Sequence, residues 1–224
     1  MDLYSRQSTG PLTRFVLLAV IAAAVAVSFI ILFVVNPGFH PGMADAAFFS
    51  ALALFAFNVL NLIRFSATLF VFLKRRIPAA EVASVSIAFI LYLIGFPVFS
   101  LFPHWHSVAV TVAGGVLFLT GGALNSWSEF QRFRFKRDPR HRGRLFTGGL
   151  FSLTRHPNYF GDCLWVLGYA LAAASGWALL IPLLLVSFFA FYNIPLLERH
   201  LESKYGDEFR EYRKKVKSLI PFLF

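Results

Sequence analysis

Arg155-His156-Pro157-Asn158-Tyr159-Phe160-Gly161-Asp162 opens an apolar run that continues to Leu197, and the reading of that run decides the fold. About 20 apolar residues suffice to cross a bilayer, so Tyr159–Leu197 is too long for one helix. The Ser175-Gly176 pair breaks it and predicts two spans, the first of them short. Four earlier segments are also long enough to cross: Phe15–Val35, Ala46–Leu73, Val82–Phe102 and Ser107–Leu124. The expectation is an all-α integral membrane protein with about six transmembrane helices. With 58% hydrophobic, 17% aromatic and 14% charged residues, the composition lies outside that of soluble domains. Ala44-Asp45-Ala46 loosely resembles a cleavage site, but Phe15–Val35 is longer than the apolar part of a signal peptide and reads as a retained span.

Apart from Arg64, every Lys and Arg lies in one of four places: the N-terminal segment (Arg6, Arg14), the Lys74-Arg75-Arg76 turn, the Ser126–His156 loop and the tail after Leu197. The Asn36–Asp45 and Pro103–His106 loops contain none, so six spans with cytoplasmic N- and C-termini satisfy the positive-inside rule. The net charge of +10 is then mostly topological, aimed at anionic head groups and not at nucleic acid. The single Cys163 excludes an intramolecular disulfide and reads as a packing residue. His40, His104 and His106 share the outer side, where interface anchoring is favoured over metal binding, so no metal is expected. Without repeats or low-complexity linkers, residues 1–224 read as one membrane domain, with four spans in 1–124.

Three segments on the basic side carry chemistry. The first, Glu129-Phe130-Gln131-Arg132-Phe133-Arg134-Phe135-Lys136-Arg137-Asp138-Pro139, leaves span four with basic side chains between phenylalanines. It reads as a solvated loop with aromatic anchors, or as a phosphate grip in which Arg132, Arg134, Lys136, Arg140, Arg142 and Arg144 supply more donors than orientation requires. In the second, 155–162, Pro157 suits a helix start and His156 or Asn158 suits a cap. Capping does not explain Tyr159 and Asp162. From a helix beginning near Pro157, Asn158, Tyr159 and Asp162 share one face at an anion-attracting N-terminus. An unpaired Asp162 in hydrocarbon costs several kcal/mol, which makes it a functional-site candidate. In the third, the tail, Leu201, Tyr205, Phe209, Tyr212 and Val216 form an apolar helical stripe. Such a helix lies on the membrane surface or roofs a cleft over the Arg155 segment.

These segments, over roughly residues 125–224, together resemble a superfamily of integral-membrane enzymes: the sterol and steroid 5α-reductases, with the isoprenylcysteine carboxyl and phospholipid methyltransferases. Arg155-His156-Pro157-Asn158-Tyr159 followed by Gly161 and an acid looks like the reductase form, as do Gln131 ahead of Phe135-Lys136-Arg137-Asp138-Pro139 and the closing Ile220-Pro221-Phe222-Leu223-Phe224. The methyltransferases share Arg155-His156-Pro157, Tyr159 and Gly161, but usually carry paired glutamates where this chain has Leu197-Glu198. Sterol reductases usually place an Arg, an Asp and a Cys where Leu196, Leu197 and Leu201 stand here.

The resemblance implies NADPH-dependent reduction of a carbon–carbon double bond in a steroid-like or polyprenoid lipid taken from the bilayer. It also implies a cofactor-binding set of Gln131, Lys136, Arg144, Arg155, His156, Asn158, Tyr159, Asp162, Glu198 and Tyr205. Within that set, Asn158, Tyr159 and Asp162 hold the nicotinamide end, Lys136, Arg144 and Arg155 meet phosphates, and Glu198 and Tyr205 close the cleft from the tail. Negative charge builds on an enone oxygen during hydride transfer, and Tyr92 in span three is the candidate proton donor, against a simple packing role. Asn58, Asn61 and Arg64 form a polar stripe on span two that orients substrate or bonds between helices. The alternative is an S-adenosylmethionine-dependent methyltransferase of a lipid or isoprenylcysteine-type substrate. A third reading is a catalytically idle lipid-binding scaffold.

Overall fold

The computed structural model describes residues 12–36, 45–72, 79–103, 105 and 107–223. Arg6, His40, Lys74-Arg75-Arg76, His104, His106 and Phe224 lie outside the described residues. The elements are α1 (Leu12–Ile30), α2 (Ala46–Ala67), α3 (Ala79–Leu93), α4 (Gly95–Phe99), α5 (Val108–Arg137), α6 (Pro157–Ala172), α7 (Leu180–Phe188), α8 (Ile194–Tyr205) and α9 (Asp207–Lys215), with no strand among the described residues. The protein is an all-α membrane protein. Leu12–Val35, Ala46–Val71, Val82–Phe99, Val108–Arg137 and Gly176–Tyr205 are long and apolar enough to cross. With 16 residues, α6 is about 24 Å long, short of the roughly 30 Å hydrocarbon core.

Two compact units divide the chain: Met1–Gly115 with Tyr169–Leu179, and Val116–Gly168 with Leu180–Phe224. In the first, α1 lies against α2 and α3 around Leu17, Ile21, Ala24, Val25, Leu69 and Leu93. The third expected span is broken between α3 and α4, because Pro97 has no N–H to offer the Leu93 carbonyl four residues earlier. Asn58 Nδ2 donates to that carbonyl at 3.0 Å instead. The same side chain accepts from the Tyr169 hydroxyl at 2.8 Å, and Asn61 Nδ2 donates to that hydroxyl at 3.1 Å. Arg64 in turn donates to Asn61 Oδ1 at 3.0 Å. The polar stripe of span two therefore bonds between helices, and Tyr169 is the partner that composition alone conceals. Tyr92 is buried on α3 with its ring against Phe89 and Phe96.

The second unit departs from two expectations. Hydropathy ends the fourth span at Leu124, but α5 continues for about three and a half more turns to Arg137, because nothing in 125–137 breaks a helix once the apolar part ends. The tail was to be one helix, and it is cut at Gly206, where φ is +54°. Past the cut, Phe209 and Tyr212 are buried while their neighbours are exposed. The expected break at Ser175-Gly176 is present, with Ala174 at a φ of +54° turning the chain. A second irregularity has a similar cause: Pro195 cannot donate to residue 191, and the helix opens into a wide turn over Phe189–Asn193.

Candidate functional site at the entrance of α6

Within the second unit, glycine sets how closely α5 and α6 approach. A Cβ on Gly121 would lie 2.4 Å from the Trp165 backbone nitrogen, and one on Gly161 would lie 2.6 Å from the Gly121 carbonyl oxygen. Only hydrogens fit between these backbones, as in the small-residue crossings of membrane helices. Gly161 thus has a packing reason to stand inside the Arg155–Asp162 motif. The close crossing brings Asn125, one turn beyond Gly121, to the first turns of α6. Its Nδ2 donates to Asp162 Oδ1 at 2.8 Å and to the Asn158 carbonyl at 3.2 Å. Trp165 Nε1 donates to the same Asp162 oxygen at 2.8 Å. Asp162 is therefore solvated by protein, through two donors that the motif itself does not contain.

Upstream of Pro157 the chain is strapped to its own C-terminal segment. Arg155 N donates to the Lys217 carbonyl at 2.8 Å, His156 N to Ser218 at 3.1 Å, and Thr154 Oγ1 to Ser218 at 2.8 Å. The Arg155 guanidinium reaches Glu198 Oε1 at 2.8 Å and also donates to the carbonyls of Arg213 and Val216. Tyr212 closes the strap by donating its hydroxyl to the Phe151 carbonyl. The apolar stripe of the tail thus packs on the Arg155 segment. His156 Nε2 lies 3.1 Å from the same Glu198 oxygen. Burial pushes the imidazole below its ordinary value, with Glu198 opposing and the Arg155 and Arg132 charges assisting. One buried carboxylate, Glu198, holds both side chains.

Tyr159 is half-buried, stacked on Phe189 at 4.4 Å and on His156 at 5.4 Å. Gln131 accepts from Leu150 N at 3.0 Å, under a turn whose Gly149 has φ +59° and no room for a Cβ beside the Gln131 amide. Among the basic residues, Arg132 is paired with Glu129, and Arg140 forks onto Asp138, whose carboxyl those hydrogen bonds hold down at about 2. Arg144 is exposed on the loop. Lys136 feels the charges of both Arg132 and Lys204, and Lys204 lies 5.3 Å over the ring of Tyr205. A cleft of about 350 Å³, lined by Gln131, Arg134, Phe135, His141 and Phe146 among others, opens beside the end of α5.

The second unit therefore holds nine expected site residues at the end of α5, the entrance of α6, and α8, with Arg144 on the loop between. Arg155, His156 and Glu198 face one another and not solvent. Tyr92 belongs to the first unit. Sequence reasoning missed Asn125 and Trp165, although an Asn in the last apolar turn of a span was a signal for the former.

The family described as "Protein of unknown function (DUF1295)" matches residues 81–216, more than half of the chain. Human 3-oxo-5-alpha-steroid 4-dehydrogenase 2 is 31% identical over 120 residues, 54% of this chain and 45% of its own length. The protein-S-isoprenylcysteine O-methyltransferase of Schizosaccharomyces pombe is 39% identical over 80 residues, 35% of this chain and 34% of its own. The chain thus spans less than half the length of either relative. A solved eukaryotic intramembrane Ras methyltransferase, isoprenylcysteine carboxyl methyltransferase, shares the fold with a TM-score of 0.51 at 20% identity, over 96% of this chain and 88% of that one.

Proposed function

The chain belongs to the DUF1295 family, and on that footing we propose that it is an NADPH-dependent reductase of a carbon–carbon double bond in a steroid-like or polyprenoid lipid. Its relatives include a 3-oxo-5-alpha-steroid 4-dehydrogenase and a protein-S-isoprenylcysteine O-methyltransferase, so a lipid-modifying membrane enzyme is the common ground. One observation carries the choice between them. Residues 129–144, at the end of α5 and in the loop after it, carry seven Lys and Arg against two acids, Glu129 and Asp138. Such a gathering of cations attracts phosphates and repels a sulfonium.

The donor set fits a phosphate-bearing cofactor with an amide end. Lys136, Arg132, Lys204 and the exposed Arg144 meet the phosphates, while Asn158, Tyr159 and Asp162 hold the nicotinamide end. Arg155, His156 and Glu198 act as positioning residues, because their polar atoms are spent on one another and on the tail. Bound NADPH supplies the hydride that adds to the β-carbon of an enone. The carbonyl oxygen gathers negative charge as the hydride arrives and must take a proton from an acid.

The methyltransferase reading keeps one specific support, the 39% identity over 80 residues to an isoprenylcysteine O-methyltransferase. Titration of the purified chain in detergent with NADPH and with S-adenosylmethionine separates the two. NADPH is expected to bind, and Lys136→Gln or Arg144→Gln to weaken it roughly 10- to 100-fold, the loss of one charged hydrogen bond. Added salt weakens it further. Tight S-adenosylmethionine binding without NADPH binding transfers the chain to the alternative.

A further inference from the structure

We propose that the C-terminal end of the chain is a membrane-surface anchor for anionic lipid, with Lys214, Lys215 and Lys217 on the head groups and Phe222 and Leu223 in the interfacial layer. The inference is independent of which cofactor the site takes. The strap described above fixes where this end lies. Residues 217 and 218 pair through backbone hydrogen bonds with Arg155 and His156, immediately before α6 enters the apolar region at Pro157. Leu219 then packs into a cluster with Phe189 and Ile194, which belong to the last long apolar helical stretch, Gly176–Tyr205. Residues 220–223 are therefore held beside two helices at their membrane boundary.

At that place their exposure is informative. Phe222 is 78% exposed and Leu223 is 77% exposed, although Leu219, three residues earlier, is buried. Phe222 holds this position at a φ of +67°, a conformation that bulky residues rarely adopt. An apolar pair presented to water is unfavourable, and the same pair in the interfacial layer is stabilising. Just upstream, Arg213-Lys214-Lys215-Val216-Lys217 carries four cations and no acid. Arg213 leans toward Glu198 and Glu202 and Lys214 pairs with Glu211 at 2.7 Å on the surface, and Lys214, Lys215 and Lys217 are all exposed. Basic side chains next to exposed apolar ones match the charge and depth profile of an anionic leaflet.

The test places a nitroxide on Leu223→Cys, in a Cys163→Ala background, with the full chain in nanodiscs of phosphatidylcholine alone or mixed with phosphatidylserine. Accessibility to oxygen and to a water-soluble nickel chelate reads the depth of the label. With phosphatidylserine present the label is expected to be oxygen-accessible and nickel-protected. Three lysines near an anionic surface favour the docked state on the order of a hundredfold. The Lys214→Gln, Lys215→Gln, Lys217→Gln triple variant is expected to lose the difference between the two lipids while keeping the cofactor affinity of the parent. Equal nickel accessibility in both nanodiscs overturns the proposal, and so does protection that ignores phosphatidylserine or survives the triple substitution.

Discussion

At Asp162 a structural role and a proposed functional one meet on one carboxylate. Its Oδ1 accepts from both Asn125 and Trp165, so truncation leaves two partly buried donors unsatisfied, at about 1–3 kcal/mol each. Asp162→Asn keeps an acceptor oxygen and removes the charge. We therefore expect Asp162→Ala to lower thermal stability in detergent and Asp162→Asn to leave it near wild type, with both losing NADPH binding. An Asn variant that binds as tightly as the parent removes Asp162 from the site. His156 yields a pH prediction. Burial depresses its folded pKa below the unfolded value of 6.5, so protonation favours the unfolded chain. The stability tied to the neutral ring is complete above 6.5 and is lost as pH falls through the folded value. His156→Gln, which cannot titrate, should flatten the fall in melting temperature as pH drops below 6.5. Identical slopes in parent and variant contradict a neutral buried imidazole. Both residues were visible as candidates in the motif. Glu198 was named in the tail as well, whereas Asn125 and Trp165 were not: Asn125 reaches Asp162 across 37 residues through the helix crossing, and Trp165 does so from one turn along α6.

Among the helices, the α5–α6 crossing is the contact on which the site depends. Gly121→Ala would set a methyl 2.4 Å from backbone, and backbone cannot rotate aside as a side-chain tip does. Overpacking of this kind costs about 1–3 kcal/mol or more, and separating the helices also draws Asn125 away from Asp162. Gly121→Ala and Gly161→Ala should therefore lower both melting temperature and cofactor affinity. Gly115→Ala on the same α5 is the control, because its nearest neighbour, Phe57 Cζ, lies at 4.0 Å. Equal tolerance of all three refutes the close crossing. The element scale is also where sequence and structure part company. Hydropathy marks where the membrane-facing part of α5 stops and says nothing of where its hydrogen bonding stops, so the basic turns to Arg137 read as loop. The break ahead of Pro97 was legible in principle, since proline removes a donor. The rescue of Leu93 by Asn58 was not, because it needs α2 and α3 already side by side.

For the whole chain, composition and run length sufficed to show a helical membrane protein, since backbone in hydrocarbon has few ways to satisfy its polar groups. Which side each loop faces is a separate matter, set by charge. The 126–156 segment and the tail carry most of the cations, and Pro103–His106 carries none, so we propose that the former lie in the cytoplasm with both termini. The orientation can be read with single cysteines in a Cys163→Ser background. Arg142 is exposed on the basic loop, and Phe102 is exposed at the end of the third apolar segment. In oriented vesicles, Arg142→Cys should react with an impermeant thiol reagent from the cytoplasmic side only, and Phe102→Cys from the opposite side only. The two labels are separated by a single helix, α5, whose 30 residues span about 45 Å, ample to cross the bilayer once. Labelling of both from one side would mean that α5 does not traverse the membrane. The cofactor site would then have to be reached from whichever side Arg142 faces.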